Sequence, residues 1–582
     1  MASLLVFQHT QKVYVIKNSH LQLGLDCIKL IFYIIKYFYM ELAKMKLLLS
    51  FFFFFIFFNI LYSQNNPIRI SGSSTLTQEF YSINGIKSRR PANVSRAIIR
   101  MNLSVYNKVQ IPFELYLSTE KTRFTNPFNQ FGLSPKVADW LTLHAGYFST
   151  RISNLTFGDL RLYGGGFELT PGNFQIKFMY GRSRKGIKAD TTKGFAGLFS
   201  QMLYAASIGY SFGKNSFLNL NIMHAADDST SLVYDSRLIS PTENLTTSLN
   251  FGIKFSKAFR IEGEAAIGLF TNNTKADTLN TNLNVPSFLF TPNYSSQIDG
   301  AALLSIYITP SRNWGFSLNS KWIGPGYITQ GFAQLQNDLL EINLAPTAHL
   351  LKRKLNLKGT LGYRLNNLRK NHITTTKRLT GSMNMNYRIT NNLSLDFLYN
   401  YNKIKSYKTI DSIKISNIFG LISITPGYLF DAFSGKNNIM LNFTHQNAVD
   451  QNPFTKSSVA YSTTNINYIH SIFFPSSLNI TLNILSSSTD LTYRSIDITT
   501  INANIGYQFF NHKLSAVFGL GFNSVTTTKT DHQALFQIYL SYGLNKYGTL
   551  AFNLTNNNYK ASEPYSPSYN ELHGAFQYSI SF

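Results

Sequence analysis

Phe576-Gln577-Tyr578-Ser579-Ile580-Ser581-Phe582, the last seven residues of a 582-residue chain, alternate apolar and polar side chains without a break. A period of two throws successive side chains to opposite faces of an extended strand, so this segment has one oily face and one wet one. The pattern recurs upstream in Phe217-Leu218-Asn219-Leu220-Asn221-Ile222, in Ser382-Met383-Asn384-Met385-Asn386-Tyr387, and in Leu478-Asn479-Ile480-Thr481-Leu482-Asn483-Ile484. Two folds accept such strands. A β-sandwich buries the oily face in a core, whereas a transmembrane barrel turns it to lipid and the Asn, Thr and Ser face to an aqueous lumen. An array of roughly 25 consecutive hairpin segments is far longer than a sandwich, and it favours the barrel.

The connections agree. Tight turns are expected at Pro171-Gly172, Lys257-Ala258, Lys352 to Lys354, Pro475-Ser476, Asn511-His512 and Asn545-Lys546. Longer polar stretches alternate with them, at 184–202, 226–243, 271–299, 324–337, 366–376, 403–414, 447–457, 488–496, 524–532 and 557–568. One rim of the sheet therefore carries turns and the other carries loops, the arrangement of barrels whose turns face the periplasm. Both ends of such a barrel meet in the periplasm, which asks for an even count of about 24 strands, with 22 or 26 as neighbours. The fold expected is an all-β transmembrane antiparallel up-and-down barrel over 64–582.

The terminal strand, with Phe576, Tyr578, Ile580 and Phe582 on one face, resembles the closing strand of bacterial outer-membrane β-barrels. That resemblance implies residence in the bacterial outer membrane. It also implies that these four residues are the signal read by the barrel-assembly machinery. The other end of the chain fits export. Met45-Lys46 opens an apolar stretch, Leu47 to Leu61, followed by Tyr62-Ser63-Gln64, which reads as a signal peptide over 45–63. At about 15 apolar residues the stretch falls short of a spanning helix. Residues 1–44 then read as a spurious extension ahead of the true start.

Cys27, the only cysteine, falls in that extension, so the exported chain has no disulfide and no thiolate metal site. The formal charge is +25, and removing residues 1–63 with their six lysines and two acids leaves +21. Behind a signal peptide this excess points to outer-membrane lipid and lipopolysaccharide phosphates, or to small anions, and not to nucleic acid. Arg182, Arg184, Lys185 and Lys188 form the first basic cluster on the loop side; Arg369-Lys370 and Lys403, Lys405, Lys408 form others.

Two readings concern the lumen. A barrel above about 16 strands leaves a channel unless something fills it, and the few residues between Ser63 and Arg69 leave no room for a plug domain. The segment 124–137 is too irregular for a strand and too apolar for a free loop, so Phe128, Asn129, Gln130 and Phe131 are the candidate constriction. Loop 271–299, with Val285-Pro286-Ser287-Phe288-Leu289-Phe290, reads equally as lumen plug, partner contact or packed loop.

The order Asn126-Pro127-Phe128 to Pro135, Trp140 to Tyr147, Gly164-Gly165-Gly166-Phe167-Glu168-Leu169 and Met179-Tyr180-Gly181-Arg182 resembles an uncharacterised porin-like family of Bacteroidota outer-membrane barrels. Tyr363-Arg364-Leu365-Asn366-Asn367-Leu368 is similar to the same family. The resemblance covers about 70–400 and brings no activity with it. His224 with Asp227 and Asp228 resembles the Asp and His of omptin proteases, yet no second acid pair accompanies it. No HExxH, G-x-S-x-G or P-loop is present, and no enzyme, metal site or cofactor is expected. The function expected is a passive channel or transporter for small polar or anionic solutes. The alternative is a non-conducting partner in envelope assembly, secretion or surface display.

Overall fold

Extended backbone with alternating faces can satisfy its N–H and C=O groups in a membrane only by pairing every strand on both sides, which means closing the sheet. The computed structural model shows that closure. It describes residues 68–582 except 107–108, 120–129, 138, 159, 191, 193, 233–237, 281–284, 408–413, 453, 455–459 and 563–565. The readings for 1–44 and 45–63 therefore lie outside the described residues. Each strand pairs antiparallel with its neighbour in sequence. The first, Ile68–Asn84, pairs with the last, Tyr569–Ser581, from Ser73↔Ser581 to Asn84↔Asn570. Phe582 and Gly72 exchange two backbone hydrogen bonds at the foot of this seam, 2.8 and 3.0 Å. On the outer face Phe80 lies where a Cβ on Gly574 would stand, and Phe576 packs between Phe80 and Phe552 at 6.2 and 4.5 Å between ring centres.

The barrel has 26 strands, the upper neighbour of the 24 expected. Around 130–137, Gln130–Leu133 and Lys136–Val137 are two pieces of one stave. Both lie between Val109–Ser118 and Leu141–Ser149. Pro135 has no N–H to offer a ladder, so the stave breaks there. Two expected loops are also tighter than read. Leu478–Leu491 and Arg494–Phe509 are joined by residues 492 and 493 alone, and Leu514–Thr526 and Thr530–Gly543 by residues 527–529.

Register separates the two faces of the wall. Leu220 pairs with Ile208 and Leu249, and all three are exposed on the outside. Asn221, one residue on, faces inward, accepts from Ser207 Oγ and donates to Ser248 Oγ and Asn250 Oδ1. The outer face is an apolar belt of Leu, Ile, Phe and Tyr. All three tryptophans, Trp140, Trp314 and Trp322, are exposed at strand ends. There their amphipathic rings suit the membrane–water interface.

One row of the wall has no side chains. Gly132 pairs with Gly146, Gly146 with Gly164, and Gly164 with Gly181, so four adjacent strands present glycine at the same level. Gly146 has φ +79°, and a Cβ at Gly132 or Gly164 would collide with a neighbouring carbonyl oxygen. Glycine rows permit the sharp creases that other residues block.

Candidate functional site

The crease turns a hairpin into the lumen. Ser149 pairs with Arg161, whereas Glu168 pairs with Thr142, seven residues further down the strand. In a straight hairpin that separation is roughly 23 Å. Yet Thr150 Oγ1 donates to Glu168 Oε1 at 2.8 Å, and Lys177 Nζ reaches the Arg151 carbonyl at 3.4 Å. The hairpin Leu141–Ser149/Arg161–Leu169 must therefore fold back upon its own base. Glu168 is the clamp there, and it also holds Lys177 at 2.9 Å and His144 at 3.2 Å. Ser134 Oγ completes the chain to His144 Nδ1 at 2.9 Å. This Ser–His–Glu succession is accounted for by the clamp, since Glu168 is engaged by Lys177 and Thr150 as well.

The folded-in tip packs on inward-facing side chains. Phe148, Phe157 and Leu162 form one buried cluster with Met179, Leu203, Ala205, Met223 and Ala225. Leu155 joins a second, with Ala266, Ala301, Ile323, Tyr327 and Leu339. Polar contacts fix the position. The buried Glu264 carboxylate accepts the Asn154 and Leu155 N–H groups at 2.9 and 3.1 Å. Thr156 Oγ1 donates to Ser248 Oγ at 2.7 Å. From the opposite side, Tyr327 Oη and Thr329 Oγ1 each donate at 2.9 Å to the carbonyls of Leu155 and Thr156. Burial pushes the Tyr327 phenol well above its ordinary range, and the Glu264 charge adds to the shift. It thus remains a donor at alkaline pH. Asn244 holds this second loop, 324–338, by donating to Ile328 O at 2.9 Å and accepting from Gln330 N at 2.8 Å.

Residues 150–158, braced by 324–338, are thus the described segment held against the inner wall, apart from the candidate stretch Phe128 to Phe131. Phe128 and Asn129 lie outside the described residues. Gln130 and Phe131 begin a wall strand, opposite Tyr116 and Leu115. The Phe131 ring meets Phe113 edge-on at 4.9 Å and is 46% exposed on the outer face. Its apolar character serves lipid, not a lumen core. The sequence signal for the folded-in hairpin is the glycine triplet 164–166 preceded by the apolar Ile152, Leu155 and Phe157.

The described part of loop 271–299 packs on the wall through its Val285–Phe290 stretch. Phe290 is fully buried against Leu245 and Leu269, with Ile222, Val285 and Leu289 around it. Those strand residues share the outward parity of Leu220, Leu249 and Ile267, so the loop packs on the outside of the wall. Among the basic residues, Arg182 lies over the outward Tyr163 ring at 5.3 Å. Arg184 is taken up by the buried Asp227 at 2.6 Å, and Arg369 by Asp299 at 2.7 Å. Lys185 and Lys188 are exposed on the 185–199 connection, and Lys408 lies outside the described residues. His224 pairs with Glu243 at 2.8 Å and stacks on Tyr204. Asp227 is consumed by Arg184, Gln201 and Thr242. The residues of the omptin-like reading do not converge. Among the described residues no group of three or more His, Cys, Asp and Glu side chains is placed to hold a metal ion.

A closed antiparallel wall with an oily exterior, aromatic strand ends and a polar inner face defines the class: this is a bacterial outer-membrane β-barrel protein. No protein-family model matches the chain, and no curated protein matches it. Among solved structures it is similar to the translocation pore of the P pilus usher PapC, at 9% identity and TM-score 0.36, over 88% of this chain and 99% of that one. It is similar to OccAB4 of Acinetobacter baumannii at 12% identity and TM-score 0.30, over 66% and 98% of the two chains. A mutant of the Pseudomonas aeruginosa ferric enterobactin receptor PfeA gives 8% identity and TM-score 0.39, over 87% and 80%.

Proposed function

We propose that this barrel is a passive channel or transporter for small polar or anionic solutes, narrowed by the hairpin tip 150–160. The observation that carries the reading is the inner face away from the tip. Asn465 faces Ser487, Asn483 faces Asn502, and Asn504 faces Thr481, so neutral hydrogen-bonding side chains line the inner face of these three strands. At 26 strands the ring is wide enough to hold water beside the tip. Solute choice then follows from lining and width, as in other pores.

On the outside, Lys185 and Lys188 would meet lipopolysaccharide phosphates, and the strand ending in Phe576, Tyr578, Ile580 and Phe582 would be read by the assembly machinery. The motif order at 126–182 supports an origin among the Bacteroidota barrels. Planar-bilayer recording of the purified protein tests the function. Stable currents with anion preference support the channel. Silence with a co-purifying envelope protein supports the non-conducting alternative instead.

A further inference from the structure

Above the apolar belt, at the loop rim, the outward pattern of two strands changes abruptly from oily to cationic. In Thr375–Arg388 the outward residues Met385, Met383 and Leu379 give way to Lys377, and in Leu393–Tyr407 Phe397, Tyr399 and Tyr401 give way to Lys403 and Lys405. Register brings them together: Lys377 stands directly opposite Lys405, and Lys403 opposite Leu379. Like charges opposed across a ladder repel and destabilise a sheet unless something neutralises them. No carboxylate among the described residues pairs with any of the three. Instead Lys377 and Lys405 crowd the same ring, Tyr407, at 4.9 and 5.1 Å from its centre. One ring face leaves most of the positive potential uncompensated.

From Tyr387 to Leu379 the outward residues of the first strand span roughly 26 Å of chain, or about 20 Å of membrane depth at barrel tilt, so Lys377 stands at the upper edge of the hydrocarbon. We propose that Lys377, Lys403 and Lys405, with Tyr407 as platform, form a binding site for the phosphate of an outer-leaflet lipid. Its acyl chains would lie on Leu379, Met383 and Tyr399. The charge and the oily surface directly beneath it select a phosphorylated lipid over a soluble anion, which would use only the upper half of the site.

Native mass spectrometry of the full-length protein, delipidated in mild detergent and titrated with diphosphorylated lipid A, tests this. The comparison ligands are phosphatidylethanolamine and inorganic phosphate. The wild type should retain lipid A at least tenfold more strongly than a Lys377→Gln/Lys403→Gln/Lys405→Gln variant that keeps its folded, heat-modifiable gel mobility. The corresponding triple arginine variant should retain it like the wild type. If the triple variant does not fold, Lys405→Gln alone should show a smaller loss in the same assay. Equal retention by wild type and glutamine variant overturns the site. So does equal retention of lipid A and phosphatidylethanolamine. Displacement of lipid A by millimolar inorganic phosphate would also overturn it, since the ligand would then be a soluble anion.

Discussion

Glu264→Ala is the most direct probe of the folded-in hairpin. The carboxylate is buried on the inner wall and accepts two backbone N–H groups from the tip. Truncation leaves both donors without a partner, and each such loss costs roughly 1–3 kcal/mol when the group stays dry. Water in the lumen would recover part of this, so about 2 kcal/mol is a reasonable net effect, or a shift of about thirty-fold between seated and released tip. The wall itself is not touched, because Glu264 takes part in the ladder through its backbone, opposite Asn250 and Leu303. Single-channel recording should then show larger or more frequent open levels than the wild type, with unchanged thermal unfolding of the barrel. If the variant folds and its current traces match the wild type, the tip does not limit the pore and the latch has no such role.

Gly164→Val places a side chain against the Tyr180 carbonyl, in the row that lets the hairpin crease. It should straighten the hairpin, raise conductance and make residues 150–158 accessible to protease; protection as in the wild type would argue against the crease. Leu220→Lys, on the lipid face, should lower barrel stability by roughly 2–4 kcal/mol, while Asn502→Lys, on the lumen face, should leave it nearly unchanged; urea unfolding in lipid vesicles reads both. The Tyr327 phenol has a raised pKa and bonds in its neutral form. Its contribution is therefore fully present below the ordinary phenol value of about 10 and is lost only as pH climbs through the higher folded value. Conductance should stay level from neutral pH past about 10, and a step at the ordinary value would refute that burial.

The wall was legible in the chain because its rule is local. Leu218-Asn219-Leu220-Asn221 states which side chain meets lipid and which meets water, whatever lies elsewhere, and a terminal strand of the same pattern requires a partner edge. The alternation of tight turns with longer loops and the polar inner face followed from the same two-residue period, although two of the loops are shorter than that period alone suggests. The stave at Gln130–Val137 was the least legible, because Pro135 breaks a ladder without ending the stave. The lumen was not legible. Phe131 and Phe157 look alike in sequence, each an aromatic in an irregular stretch, yet one faces lipid and the other is buried in the barrel. What separates them is the glycine row at 132, 146, 164 and 181, whose members lie up to 49 residues apart and align only once register is fixed. Likewise Glu264 finds Asn154 across 110 residues. Periodicity fixes the faces of each strand, because side-chain direction depends only on its own backbone. Only closure of the sheet decides which distant groups share the lumen, because that depends on every register between them.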